Sequence, residues 1–202
     1  MKGFFKALGL VALLLGAAIP THAKNSGVPQ RVLGKASAPI TVEEYVSFTC
    51  PHCAEFYEKT LPELEKRYAD TGKVKFILRD FPTDGRGLKA AQLSRCMPEE
   101  QYHPFVRLLF KNQMTWVVAP DPEKILLSYA RLGGLPEDKA KACLADTELQ
   151  DALITVRGDA TEKFGIESTP TFIINNGAER IKGAQPAAEF AKIFDRLLAA
   201  KQ

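Results

Sequence analysis

The chain has 202 residues, of which 46% are hydrophobic and 25% are charged. These values are typical of a globular protein and exclude a mostly disordered chain, a collagen and a polytopic membrane protein. Lysine and arginine total 27 against 24 acidic residues, and this net charge of +3 gives no reason to expect a nucleic-acid partner. Four cysteines are too few for a small disulfide-stapled fold, so a hydrophobic core must stabilise the chain.

Residues 1–23 have the pattern of a cleavable secretory signal peptide. Lys2 and Lys6 precede an apolar run over residues 8–19, and small residues up to Ala23 flank a cleavage point. The run has 12 residues, whereas a helix that crosses a bilayer needs about 20. We therefore expect export from the cytoplasm, with an uncleaved N-terminal anchor as the alternative. Disulfides form and persist in such a compartment.

The first half of the mature chain predicts a βαβ unit. A polar segment, 24–38, is expected to form an irregular arm. β-branched and aromatic residues predict a strand over 40–48, and alternation of apolar residues predicts a second strand over 74–78. Between them, apolar residues at helical spacing predict a helix over 51–68, in which Pro62 is a site for a kink or a restart.

The middle of the chain, 87–164, shows helix signals and no convincing strand. Asp121 followed by Pro122 predicts the start of a helix that ends before Gly133. Thr147, with Gln150 three residues later, predicts a capping box that begins another helix, and Gly165 ends it. Shorter helices are expected at 88–97, 105–111 and 137–144.

Strands return after Gly165. Two short strands, 171–175 and 178–182, are predicted to pair through a turn at Asn176-Gly177, and an apolar stripe predicts a final helix over 186–199. The order of elements indicates one α/β domain split by a helical insertion, because no linker rich in Pro, Gly or Ser separates two domains. We place the α/β domain at 24–82 and 161–202, and the helical insertion at 83–160.

The chemistry is expected at Cys50-Pro51-His52-Cys53, where the first strand turns into the first helix. A cysteine at a helix N-terminus faces unpaired N–H groups and the positive end of the helix dipole, which stabilise a thiolate. Pro51 has no N–H to leave unpaired there, and His52 can donate to the sulfur or add positive charge. Cys53 lies one turn later, close enough for a short-loop disulfide. We expect Cys50 to attack and Cys53 to resolve; half a zinc site and an inert disulfide are the alternatives.

Glu44 is a second candidate. Three apolar residues occupy alternate positions of the predicted strand: Val42, Val46 and Phe48. Glu44 shares their face, so it is expected to point inward, where its pKa would be raised and it could exchange a proton with the resolving thiol. The alternative is an acid on an edge strand that faces water, as the neighbouring Glu43 does.

Thr169-Pro170 immediately precedes the strand at 171–175. From the residues alone, Pro170 is a strand-starting proline after a trans peptide bond. Together with the paired-cysteine motif and the helical insertion, however, the segment 165–172 (GIESTPTF) resembles the DsbA-like thiol:disulfide oxidoreductases of bacterial envelopes. The resemblance extends over roughly residues 40–198.

This resemblance implies a thioredoxin fold with an inserted α-helical domain. It also implies a cis bond at Pro170, with Thr169 beside Cys50 and its backbone available to pair with substrate. It further implies that Glu44, six residues before the first cysteine, is the buried acid of the family. Thr169 stands where the best-known strong oxidases of the family carry Val.

Cys96 and Cys143 both fall in the helical block. Two remaining cysteines in an oxidising compartment most often pair, and closing the loop between them would stabilise the fold by roughly 4 kcal/mol in the chain-entropy model. A second redox pair and two free buried thiols are the alternatives. A second disulfide in the helical region also resembles one branch of the DsbA-like proteins.

Three functions are compatible with these features. The first is an oxidase in the periplasm that donates the Cys50–Cys53 disulfide to unfolded or reduced exported proteins and is reoxidised by a membrane quinone reductase similar to DsbB. The second is a disulfide isomerase or reductase that uses the same residues at a lower potential. The third is a non-enzymatic periplasmic chaperone or metal-binding module in which the motif holds copper or zinc. We favour the first, as a monomer without cofactor or metal.

Overall fold

The computed structural model describes residues 27–200, so the predicted signal peptide lies outside the described residues. Within them, five strands form one mixed sheet in the order β1-β3-β2-β4-β5. Only β2 and β3 pair in parallel among these strands. The strands are β1 (Val32–Leu33), β2 (Ile40–Val46), β3 (Val74–Asp80), β4 (Thr171–Ile174) and β5 (Glu179–Lys182).

The helices are arranged as the element order predicts. Helix α1 covers residues 51–69 between β2 and β3, and α8 (Ala187–Ala199) follows β5. The others lie between β3 and β4, and they are α2 (Gly85–Cys96), α3 (Glu99–Lys111), α4 (Gln113–Val117), α5 (Pro122–Leu132), α6 (Glu137–Leu144) and α7 (Thr147–Phe164). The thioredoxin-type fold with an inserted helical region is therefore confirmed. The boundaries at 83 and 160 stay predictions, and α7 itself continues to Phe164.

A cluster of aromatic rings packs helices α1 and α8 against the sheet. Phe56 of α1 lies 4.5 Å from Phe172 of β4 and 5.6 Å from Phe190 of α8, measured between ring centroids. All three rings are fully buried. Burying side chains of this size contributes most of the hydrophobic stabilisation of such a core. The core thus lies directly beneath the turn that carries the paired cysteines, and it gives that turn a rigid base.

One prediction about the N-terminal half needs correction, and another is confirmed. The arm predicted to be irregular contains β1, which pairs with β3 through Val32 and Ile77. A two-residue strand is too short to show alternation, so its sequence carries no strand signal. The predicted restart at Pro62 is confirmed, because a π-helical turn over Phe56–Thr60 precedes a new α-helical turn, Leu61–Leu64, that begins with Pro62 in its first positions. The wider turn leaves room for the proline ring, which would clash with a regular preceding turn.

The helical block also differs from the prediction in detail. Helix α3 begins at Glu99 and keeps Pro104 in its interior, so the predicted start at residue 105 is wrong. The short helix α4 was not predicted at all, since it follows α3 after a single residue.

Across residues 27–200, none of the helices has the length and apolar character needed to cross a membrane.

The predicted capping box at Thr147 is wrong. Asp146 is the N-cap of α7, and its carboxylate accepts the backbone N–H of Leu149 at 3.0 Å. Both residue types are good N-caps, so sequence alone does not choose between neighbours.

The turn after β4 is present but longer than a two-residue hairpin. Asn175 and Asn176 both adopt left-handed backbone conformations, with φ of 48° and 58°.

Candidate active site

Cys50 stands where β2 has ended and α1 begins. It is the N-cap of the helix, with φ −78° and ψ 119°, and Pro51 occupies the first helical position. Its carbonyl oxygen accepts the N–H groups of Cys53 at 3.1 Å and Ala54 at 3.3 Å. The Cys50 side chain therefore sits over the open end of the helix, where N–H groups without intrahelical partners point outward.

The Cys50 thiol is half-buried and unpaired, and its Sγ lies 3.3 Å from the carbonyl oxygen of Thr169. Its pKa is lowered to about 5, first by a hydrogen bond from the Cys53 thiol. The Thr169 side chain and the backbone N–H groups of Cys53 and His52 lower this pKa further, against the opposing effect of burial. Cys50 is therefore a thiolate at neutral pH, which is the nucleophilic form of the side chain.

Cys53 is the opposite case. It is fully buried, and burial raises the pKa of its thiol well above the usual value, with the neighbouring Cys50 acting in the same direction. One sulfur of the pair is thus accessible and easily ionised, and the other is enclosed and holds its proton. This asymmetry assigns different chemistry to the two positions, since ease of ionisation controls which sulfur leaves and which attacks.

The His52 side chain does not face the sulfur. It is exposed, and Nδ1 lies 3.6 Å from the Glu55 carboxylate, one turn along the helix. Its backbone N–H is among the groups that lower the pKa of Cys50. The interpretation that the imidazole donates to the sulfur therefore has no contact to support it among residues 27–200. The helix end and the Cys53 thiol stabilise the thiolate instead.

Glu44 points into the interior, where 1% of its surface is exposed. Burial raises the pKa of its carboxyl to about 7, and two groups moderate this effect: the Tyr57 hydroxyl, which donates to Oε2 at 3.1 Å, and the more distant charge of Arg107. Tyr57 lies four residues after Cys53, on the same face of α1. The Tyr57 hydroxyl thus links the acid to the helix that carries both cysteines.

A small cavity connects the acid to the helical insertion. Its volume is about 10 Å³, at the lower limit for holding one water molecule, and Glu44, Tyr57, His103 and Arg107 are among its lining residues. Arg107 is held by Glu65 at 2.6 Å. Sequence reasoning missed Tyr57 and Arg107: the spacing of Tyr57 from Cys53 was a usable signal, whereas nothing local identifies Arg107.

The Thr169–Pro170 peptide bond is cis, as the family resemblance implies. Thr169 contacts Cys50 through its carbonyl oxygen, and the Pro170 carbonyl accepts the N–H of Gly183. The segment before β4 is thereby anchored beside the reactive sulfur.

Cys96 and Cys143 form a disulfide that joins α2 to α6, with their Cα atoms 6.3 Å apart. It lies in the helical insertion, away from the paired-cysteine turn. Among residues 27–200 there is no group of three or more His, Cys, Asp or Glu side chains arranged to hold a metal ion.

The fold and the site define a thioredoxin-fold protein with one accessible and one enclosed cysteine at a helix N-terminus. The family model described as Thioredoxin matches residues 26–196. The crystal structure of Wolbachia pipientis alpha-DsbA1 is 32% identical and superposes with a TM-score of 0.78 over 85% of this chain and 92% of that one. The chain belongs to the DsbA-like family of thioredoxin-fold protein-disulfide oxidoreductases.

Curated relatives agree with this family. Disulfide bond formation protein D of Bacillus subtilis is 29% identical over 157 residues, which are 73% of this chain and 68% of that protein. A relative from Rickettsia bellii, whose name describes a protein-disulfide oxidoreductase, is 33% identical over 145 residues. These are 71% of this chain and 56% of the relative, so the chain spans about half the length of the Rickettsia proteins that it matches.

Proposed function

We propose that this protein is a thiol:disulfide oxidase that donates the Cys50–Cys53 disulfide to folding, exported proteins. The observation that carries the proposal is the opposite ionisation of the two thiols, with the pKa of Cys50 at about 5 and that of Cys53 well above its usual value. A stabilised Cys50 thiolate favours the reduced pair over its disulfide. The oxidised protein therefore transfers its disulfide readily.

The reaction begins on the oxidised pair. A substrate thiolate attacks Sγ of Cys50, which is the accessible sulfur, and a mixed disulfide forms as the bond to Cys53 breaks. A second thiolate of the substrate then attacks the substrate sulfur of this mixed disulfide. The Cys50 thiolate leaves, the substrate has lost two electrons as it gains its disulfide, and the protein has gained them as a reduced pair.

We assign Glu44 the proton that the first step requires. Cys53 leaves as a thiolate in a fully buried position, where an uncompensated charge is unfavourable. Burial keeps Glu44 protonated up to about pH 7, so the carboxyl is able to supply a proton near neutral pH. The cavity between Tyr57 and Arg107 offers a place for the water that restores this proton. Thr169 and Pro170, beside the sulfur, would bind the substrate backbone.

The remaining parts of the proposal follow from the family. Proteins of the DsbA family act outside the cytoplasm on the thiols of other proteins. We place this protein in the periplasm, as a monomer that acts on unfolded or reduced exported proteins. A membrane quinone reductase similar to DsbB would return the pair to its oxidised state.

Peptide oxidation tests the proposal. The oxidised protein is mixed with a reduced peptide that contains two cysteines, and thiols are alkylated and counted by mass spectrometry. One peptide disulfide should form for each Cys50–Cys53 disulfide consumed. Cys50→Ser and Cys53→Ser should both form none, because neither variant can hold the disulfide that is the oxidant in this assay. Peptide oxidation by Cys50→Ser at the wild-type rate would show that the reactive pair lies elsewhere.

A further inference from the structure

We infer that Gln113, the first residue of α4 in the helical insertion, is a positioning residue for Cys50. Its side-chain Nε2 donates to the carbonyl oxygen of Phe48 at 2.8 Å and to that of Cys50 at 2.9 Å. A primary amide has two hydrogens to donate, and both are used on the segment that leads into the paired-cysteine motif. This inference rests on the proposed function, because it names what holds the attacking sulfur in place.

The segment between β2 and α1 needs an outside partner. Phe48 lies after the end of β2 and is 1% exposed, so its carbonyl has neither a strand partner nor water. A buried carbonyl left unpaired costs about 1–3 kcal/mol. The Gln113 amide provides the missing donor from across the domain boundary, and it is itself 3% exposed. The Phe48 carbonyl and the Gln113 amide thus each supply the hydrogen-bond partner that the other would otherwise be without.

The second bond acts on the reactive residue. The Cys50 carbonyl already accepts the N–H groups of Cys53 and Ala54, which sets Cys50 as the helix N-cap. A third donor from Gln113 restricts rotation of the same peptide unit. The direction of the Cys50 side chain depends on this backbone, so the amide keeps Sγ over the N–H groups of His52 and Cys53.

Gln113 is supported on a rigid base. Asn112, immediately before it, donates through its side chain to the Leu108 carbonyl at 2.9 Å. Trp116, three residues after it, is fully buried and donates through Nε1 to the Leu109 carbonyl at 2.9 Å. Both bonds tie α4 to the last turn of α3. A side chain held this way can position a neighbour, because its own location is fixed by packing and hydrogen bonds.

The test is titration of Cys50 in Gln113→Met, which keeps the length of the side chain and removes both donors. The reduced protein is titrated with pH, and thiolate formation is followed by ultraviolet absorbance and by the rate of Cys50 alkylation. The pKa of Cys50 should rise by about one unit, the equivalent of one weakened hydrogen bond to a charged group. Gln113→Asn, which keeps a buried amide but shortens its reach, should shift the pKa in the same direction and serves if the first variant does not fold.

Gln92→Met is the matched control. Gln92 is also buried, and its Nε2 donates to the carbonyls of Cys143 and Asp146, far from the motif in the chain. This change should lower the melting temperature and leave the pKa of Cys50 unchanged. An unchanged pKa in both Gln113 variants would overturn the inference and leave Gln113 a structural residue. Failure of the wild-type protein to oxidise peptides would instead remove the proposed function, and the titration does not depend on that activity.

Discussion

Replacing Glu44 with Gln should make the protein less sensitive to alkaline pH. Below about pH 4.5, the Glu44 carboxyl carries a proton in both the folded and the unfolded chain. Between that pH and about 7, the unfolded chain loses the proton, whereas the buried carboxyl of the folded chain keeps it. The unfolded state therefore binds fewer protons in this window, and the free energy of unfolding falls as the pH rises through it.

The expected size follows from the same two values. Each pKa unit corresponds to about 1.4 kcal/mol, so raising the pKa from 4.5 to about 7 corresponds to a loss of about 3 kcal/mol across the window. Glu44→Gln preserves the shape of the side chain and an oxygen that accepts the Tyr57 hydroxyl, but it cannot ionise. Its free energy of unfolding should lack this contribution.

Denaturant unfolding from pH 4 to 8.5 measures the effect. Wild type and Glu44→Gln are compared with Cys50 and Cys53 reduced in both, so that titration of the thiols largely cancels in the difference. The variant should gain about 3 kcal/mol relative to wild type between the two ends of the window. Glu43→Gln is the control, because Glu43 pairs with Arg79 at 2.7 Å on the other face of β2, and it should keep the wild-type pH dependence. Parallel profiles for wild type and Glu44→Gln would refute the reasoning.

Three further changes have defined outcomes. Tyr57→Phe removes the hydroxyl that donates to Glu44 and should raise the pKa of that carboxyl above 7 by about one unit, measured by carbon NMR of labelled glutamate; no change would show that the bond is weak in solution. Arg95→Met leaves the buried Asp80 without the guanidinium now 2.6 Å away and should destabilise the fold by about 3–5 kcal/mol in denaturant, whereas a loss below 1 kcal/mol would contradict a buried ion pair. Cys96→Ala with Cys143→Ala should lower the melting temperature, equivalent to roughly 4 kcal/mol, yet retain peptide oxidation; an unchanged melting temperature would argue against a structural role.

The fold and the centre of the site were predictable because their signals are local. The periodicity of residues 40–48 placed Glu44 on an apolar face, and that face is the buried one. The motif at Cys50 followed a strand and opened a helix, which defines a helix N-cap without any tertiary knowledge. The cis bond at Pro170 came from the family resemblance, since an X-Pro bond carries no local mark of its isomer.

The remaining parts of the site depend on contacts between distant segments. Gln113 of α4 contacts the motif and Arg107 of α3 lies beside Glu44 because these helices fold back onto the sheet domain, and no spacing within the insertion indicates this. The role of the His52 imidazole stays a prediction. Its neighbourhood in sequence suggested the sulfur, but the side chain turns to Glu55 on the exposed side of the helix. The observed N-cap of α7, Asp146, lies one residue before the predicted N-cap, Thr147, because both residue types are suitable caps.

The redox potential of Cys50–Cys53 tests the central proposal most directly. The protein is equilibrated in buffers with increasing ratios of reduced to oxidised glutathione. The redox state of each cysteine pair is then read by alkylation and mass spectrometry. A potential between about −180 and −120 mV is predicted for a protein that donates disulfides, with Cys96–Cys143 oxidised throughout. A potential near about −270 mV would contradict the proposal and identify a reductase.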